Sequence, residues 1–198
     1  MKDLFSALDT WTATERPAAI ARVVDLDGSG PRLPGAAMAV TIDQDVRGSV
    51  SGGCVEGAVV IEALDVIEAD AHRVVTFGYS DDEAFAVGLT CGGTIHLFLE
   101  RFEPGDWYAP LKADIAAERA VALATVIDGP GAGNKLLVRA DDTVIGTLGN
   151  DEVTKGCMGA TQQKVGARIV RIPCQVLMQG VNRTLPFTIA ALNICRFQ

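Results

Sequence analysis

Basic residues are scarce in this chain: 17 Lys and Arg stand against 25 Asp and Glu, a formal net charge of −8. A nucleic-acid or anionic-membrane surface needs a basic stripe, so the balance argues against both partners, and any anionic ligand must be held by local groups. No apolar run reaches the roughly 18 residues of a membrane span, and residues 1–10 lack the basic, apolar and small-residue succession of a secretory signal. A cytoplasmic protein is expected. The five cysteines include no close CxxC pair, which fits reduced thiols better than a disulfide framework or a structural zinc site. Histidine is limited to His72 and His96, and both read as core or surface residues rather than ligands. No GxGxxG opens a helix after a strand and no Walker A lysine is present, so nucleotide binding is not indicated.

What is present is glycine, 21 residues of it, gathered in loops. Leu4, Phe5, Leu8 and Trp11 fall at near-helical spacing and predict an amphipathic helix over 2–15, stopped before Pro17. Residues 18–25 form a β-type run, followed by the Gly/Pro-rich loop Asp27 to Gly35. Residues 37–42 and 46–50 flank Asp43-Gln44-Asp45 as a hairpin. The second hairpin strand runs into Gly48-Ser49-Val50-Ser51-Gly52-Gly53-Cys54-Val55-Glu56-Gly57, the stretch around which the chain is organised. From Cys54 to Glu68, Val55, Val59, Leu64 and Ile67 make the apolar stripe of a surface helix. A strand at 74–77, a polar loop from Gly78 to Phe85, the second glycine motif Gly88-Leu89-Thr90-Cys91-Gly92-Gly93 and an alternating strand at 94–100 follow.

Trp107, Leu111 and Ile115 suggest a third helix, and 121–127 an Ala/Val-rich strand. Residues 137–150 then align without gaps on residues 39–52, an internal pseudo-repeat of the strand and hairpin in which only the first copy carries a cysteine. The expected fold class is α/β, a mixed or largely antiparallel sheet with packed helices. The expected division is a domain over 1–150 and a weakly patterned tail over 151–198, where Cys157, Cys174 and Cys195 are scattered among glycines and prolines.

Glycines allow close backbone approach to a ligand, and a helix start favours anions. One reading therefore has Cys54 and Cys91 meeting through their loops to hold a sulfur-linked or metal-containing cofactor, with Arg32 and the helix N-terminus on its anionic group. The other has both cysteines as small buried hydrophobes and Arg32 as a loop-surface residue. Asp81, Asp82 and Glu83 supply either acid/base or metal-ligand carboxylates, or a solvated face or helix cap, and Glu56 complements the helix start or positions Cys54.

Three motifs in order, Gly28-Ser29-Gly30-Pro31-Arg32-Leu33-Pro34-Gly35-Ala36, the Cys54 stretch, and Phe77 to Asp81 continuing to Gly88–Gly93, resemble the XdhC/CoxI family, maturation factors for xanthine and carbon monoxide dehydrogenases. The resemblance covers about 18–102 closely and 121–150 more loosely. It implies an accessory chaperone without turnover of its own that binds the molybdenum cofactor (molybdopterin), protects it during sulfuration by a cysteine desulfurase, and delivers it to a molybdenum hydroxylase apo-enzyme. It also implies a binding set of Arg32, Ser51, Gly52, Gly53, Cys54, Glu56, Asp81, Glu83, Cys91, Gly92 and Gly93. Cys54 and Cys91 are the candidates for the molybdenum end and Arg32 with the Gly52 and Gly53 backbone for the anionic end. Longer members continue into a Rossmann-type domain, so the chain reads as a short form, and a homodimer is a further partner expectation. The alternative is a thiol-dependent oxidoreductase or sulfur transferase with Cys54 as catalytic nucleophile; a third reading is a purely structural interaction module.

Overall fold

The computed structural model describes residues 2–78, 93–139, 141–151, 154, 170–178 and 181–193. They fall into two compact units, Met1–Phe102 and Glu103–Gln198.

The first unit opens with α1 (Lys2–Ala13), whose Leu4, Leu8 and Trp11 are buried and which packs against strands β2 and β3 of the sheet described next. The helix ends before the predicted Glu15 because Glu15 takes a left-handed φ of 52° and Arg16 N closes back on Trp11 O at 2.9 Å. Then come β1 (Ala18–Asp27), β2 (Ala37–Thr41), β3 (Val46–Gly48), α2 (Glu56–Ala69), β4 (His72–Gly78) and β5 (Thr94–Arg101). The strands form one antiparallel sheet in the order β3-β2-β1-β5-β4. Alternation sends Ala19, Ala21, Val23, Met38, Val40, Ile95, Leu97 and Leu99 into a common core with Val59, Ala63, Val66 and Ile67 of α2. The buried stripe of α2 is thus carried by Ala63 and Val66 where the spacing suggested Leu64. Burying each large aliphatic side chain here contributes about 1.5–3 kcal/mol.

The second unit contains α3 (Tyr108–Ala116), β6 (Val121–Asp128), β7 (Lys135–Arg139), β8 (Val144–Gly146), β9 (Val170–Met178) and β10 (Val181–Asn193), with sheet order β8-β7-β6-β10-β9, again antiparallel throughout. Its strand order is that of the first unit, and particular details recur. Glu118 has φ 55° and Arg119 N bonds Asp114 O at 2.8 Å, as Glu15 and Arg16 do after α1. Val23 pairs with Leu97 and Asp25 with His96, skipping Val24; Val126 pairs with Ile189 and Asp128 with Thr188, skipping Ile127. The repeat therefore embraces helix, sheet and bulge, well beyond the hairpin legible in the sequence.

This moves the expected boundary at 150. Residues 170–193 are no appendage, because β10 pairs with the central strand β6. Prolines disguised them: Pro173 lies on the edge strand β9, and Pro186 falls where the β10–β9 pairing shifts between Thr184 and Thr188, both places where a missing N–H is tolerated.

Candidate functional site

The strand directions gather three segments at one end of the first sheet. Asp27 pairs with Thr94 and Thr94 with Gly78, while Met38 pairs with Gly48. Loop 28–36, turn 49–55 and the flanking residues Gly78 and Gly93 therefore lie at the same end of the sheet. Close approaches mark this end. A Cβ on the buried Gly93 would stand 2.2 Å from Ser29 O and 2.9 Å from Asp27 O, and one on Gly52 would lie 3.9 Å from Pro31 Cβ. Glycine at 93 is what lets the backbone at the start of β5 pass this close to the Gly/Pro loop. Asp81, Asp82, Glu83, Cys91 and Gly92 lie outside the described residues, as do Cys157 and Cys195.

Glu56, the first residue of α2, folds back over the turn. Its carboxylate accepts from the Ser49 hydroxyl at 2.7 Å and from the amides of Val50 (3.2 Å), Ser51 (2.9 Å), Gly52 (3.0 Å) and Gly53 (2.8 Å), and also from the Ser51 hydroxyl. Partial burial pushes the Glu56 carboxyl up, but the hydroxyls of Ser51 and Ser49 and the Ser51 amide outweigh that and hold it at about 2. It is a carboxylate throughout the physiological range. The buried Ser51 hydroxyl completes the knot: while donating to Glu56 it accepts from Cys54 N at 2.9 Å and Val55 N at 3.0 Å, using its one proton and both lone pairs.

The Gly52 and Gly53 amides donate to Glu56, whose oxygens are turned into the loop. The helix also starts two residues after Cys54, with Val55 in the cap position. Cys54 thus stands on the turn into α2, not in its first turn.

Cys54 is a free, half-buried thiol. Among the described residues, a Cβ on either Gly53 or Gly57 beside it would meet nothing within 4 Å. Arg32 is exposed on the loop whose Pro31 approaches Gly52, next to Leu33, which is 74% exposed. A soft thiol, an adjoining cradle without side chains and a guanidinium on the facing loop suit a ligand with a metal at one end and an anion at the other.

A second polar cluster at the same end escaped the sequence reading. His96 Nδ1 lies 2.9 Å from Thr76 Oγ1 and Nε2 3.0 Å from Asp27 Oδ2, across β5, β4 and β1. His96 fits the structural role expected of it. His72 is exposed and tilted over Phe98, the ring centroids 6.1 Å apart.

The second unit keeps the outline of the turn without its chemistry. Thr154 stands where Glu56 does and accepts from Leu148 N at 3.4 Å, the counterpart of the Val50 contact. In place of the segment joining β4 to β5, β9 and β10 meet in a hairpin, Met178 pairing with Val181.

A model of the XdhC and CoxI family matches residues 11–78 and 114–172, one stretch in each unit, beginning at equivalent points of α1 and α3. Over 84 residues the chain is 37% identical to the molybdenum cofactor insertion chaperone PaoD of Escherichia coli K12, a match covering 42% of this chain and 26% of that protein. It is 36% identical over 83 residues to the uncharacterized protein YqeB of the same organism, covering 42% of this chain and 15% of the relative. The chain thus matches well under two thirds of either relative. Among solved structures it shares the fold of a xanthine dehydrogenase (BH1974) from Bacillus halodurans, with a TM-score of 0.61, 19% identity, 96% of this chain and 52% of that chain covered.

Proposed function

Because the chain belongs to the XdhC and CoxI family, we propose that its first unit holds the molybdenum cofactor at the glycine-loop end of the sheet and hands it to a molybdenum hydroxylase apo-enzyme. The observation that carries the reading is the half-buried Cys54 on a locked turn, where nothing from elsewhere among the described residues lies within 4 Å of the Cβ positions of Gly53 and Gly57. The name of the PaoD relative points to the same role. Cys54 would meet the metal end as a soft ligand and Arg32 the anionic end. Cys91 is the proposed second thiol, and Asp81 and Glu83 are proposed to line the pocket. The bound cofactor supplies a dithiolene-held metal; the chain's own residues only bind, orient and shield it. Sulfuration by a cysteine desulfurase before delivery is part of the same proposal, as is action as an accessory protein without turnover.

The test is molybdenum and oxidised-pterin content after incubation with the cofactor, for wild type, Cys54→Ser and Arg32→Ala. Loading near one per chain that collapses in both variants supports the reading. No loading of the wild type sinks it for this chain.

A further inference from the structure

We infer that Glu56 is a positioning residue for Cys54, the resident anion of a nest formed by the amides of residues 50–53 and the hydroxyls of Ser49 and Ser51. Successive N–H groups converging on one point make a concavity that demands negative charge. Here the chain supplies its own. The contact from Gly53 N to the carboxylate three residues on has the spacing of a capping-box bond but lies ahead of the helix, and three further amides join it.

The route from Glu56 to the thiol is short. Ser51 Oγ donates to Glu56, and this orients its lone pairs toward Cys54 N and Val55 N. Without the carboxylate, four amides point at one another's partial charges, the nest opens, and Ser51 loses the acceptor that fixes its rotamer. Cys54 then loses its backbone anchor. The second unit is the internal comparison: at the position of Glu56 it has Thr154, which keeps one long contact to Leu148 N, and no cysteine follows Gly149 in that turn.

The inference rests on Cys54 being the working thiol, but its test needs no cofactor and so stands or falls separately from the loading experiment. The rate at which iodoacetamide modifies Cys54 is followed by peptide mass spectrometry on the folded full chain, for wild type, Glu56→Gln, Glu56→Ala and Ser51→Ala. Losing the anchor exposes the half-buried thiol, and Glu56→Gln and Glu56→Ala are expected to react faster by about tenfold, the worth of one charge-assisted contact. Ser51→Ala, which leaves the carboxylate in place, moves the same way. Excess formate, a carboxylate small enough for the vacated nest, returns Glu56→Ala toward the wild-type rate, whereas chloride does not. Wild-type rates in folded Glu56→Gln and Ser51→Ala would overturn the inference, as would acceleration of Glu56→Ala that formate leaves untouched.

Discussion

Gly48 and Gly146 occupy one position in two copies: each has a positive φ, 82° and 93°, and a Cβ on each would stand 2.2 Å from Ala37 O and 2.3 Å from Lys135 O. Each ends the second strand of its hairpin, pairing with Met38 or Leu136. Both strands stop there because no other residue can pass so close to a neighbouring backbone in that conformation.

Gly48→Ala and Gly146→Ala are therefore each expected to destabilise the unit that contains them by about 2 kcal/mol or more, from left-handed strain plus a clash with backbone. Urea unfolding followed separately in the two units checks this. Only Gly48→Ala should also alter Cys54 alkylation.

Gly57 separates stability from binding. With nothing from elsewhere among the described residues within 4 Å of its Cβ position, Gly57→Ala is expected to stabilise α2 by about 0.5–1 kcal/mol through lost chain entropy. If the cofactor uses that ground, loading falls while the melting temperature rises. A variant that is more stable and loads as well as wild type would remove Gly57 from the proposed pocket.

Gly93→Ala acts in the opposite sense. Its Cβ drives into Ser29 O, so the two loops must part, and cofactor loading should drop in a chain whose second unit unfolds as before. Unchanged loading would show that the loop contact is not needed by the site.

The acid limb of stability should bear the mark of Glu56. Its carboxyl titrates near 4.5 when unfolded and about 2 when folded, so its contribution is complete above the unfolded value and is lost as pH falls toward the folded one. Wild type should lose stability between about pH 4.5 and 2 more steeply than Glu56→Gln. Parallel curves in that window would refute the bond network as drawn.

Asp114 is the anchor of the second unit. Buried to 1% exposure, it takes Arg139 on both oxygens, at 2.6 and 2.7 Å, and Arg119 at 2.7 Å. The Arg139 bonds pull its carboxyl below the ordinary value against the effect of burial, with Arg119 adding to the pull. Asp114→Asn leaves two guanidinium groups facing a neutral amide and should cost about 3 kcal/mol in chemical denaturation.

Much of this was legible from residue pattern. Leu4, Leu8 and Trp11 announced α1, the Asp-flanked turns announced both hairpins, and the glycine motifs marked the end of the sheet where the loops meet. Other features depend on three-dimensional closure. Nothing in local spacing says that Glu56 turns back rather than outward. The dipeptides Glu15-Arg16 and Glu118-Arg119 were the written sign that the repeat begins in the helices, hidden by the different lengths of the loops that follow β1 and β6. The Thr76–His96–Asp27 cluster joins three strands, a relation visible only once their register is known.

The paired bulges at Val24 and Ile127 hold the two sheets in the same frame up to the point where their connections diverge. For protein engineering this makes the chain its own donor of parts. Thr154→Glu with serine at 147 would restore a carboxylate and a hydroxyl at the positions of Glu56 and Ser49, whereas Gly149, with a φ of 83° and a Cβ position 2.7 Å from Asn134 Nδ2, has to stay glycine. The turn of the second unit is thus closed to the hydroxyl that Ser51 supplies in the first.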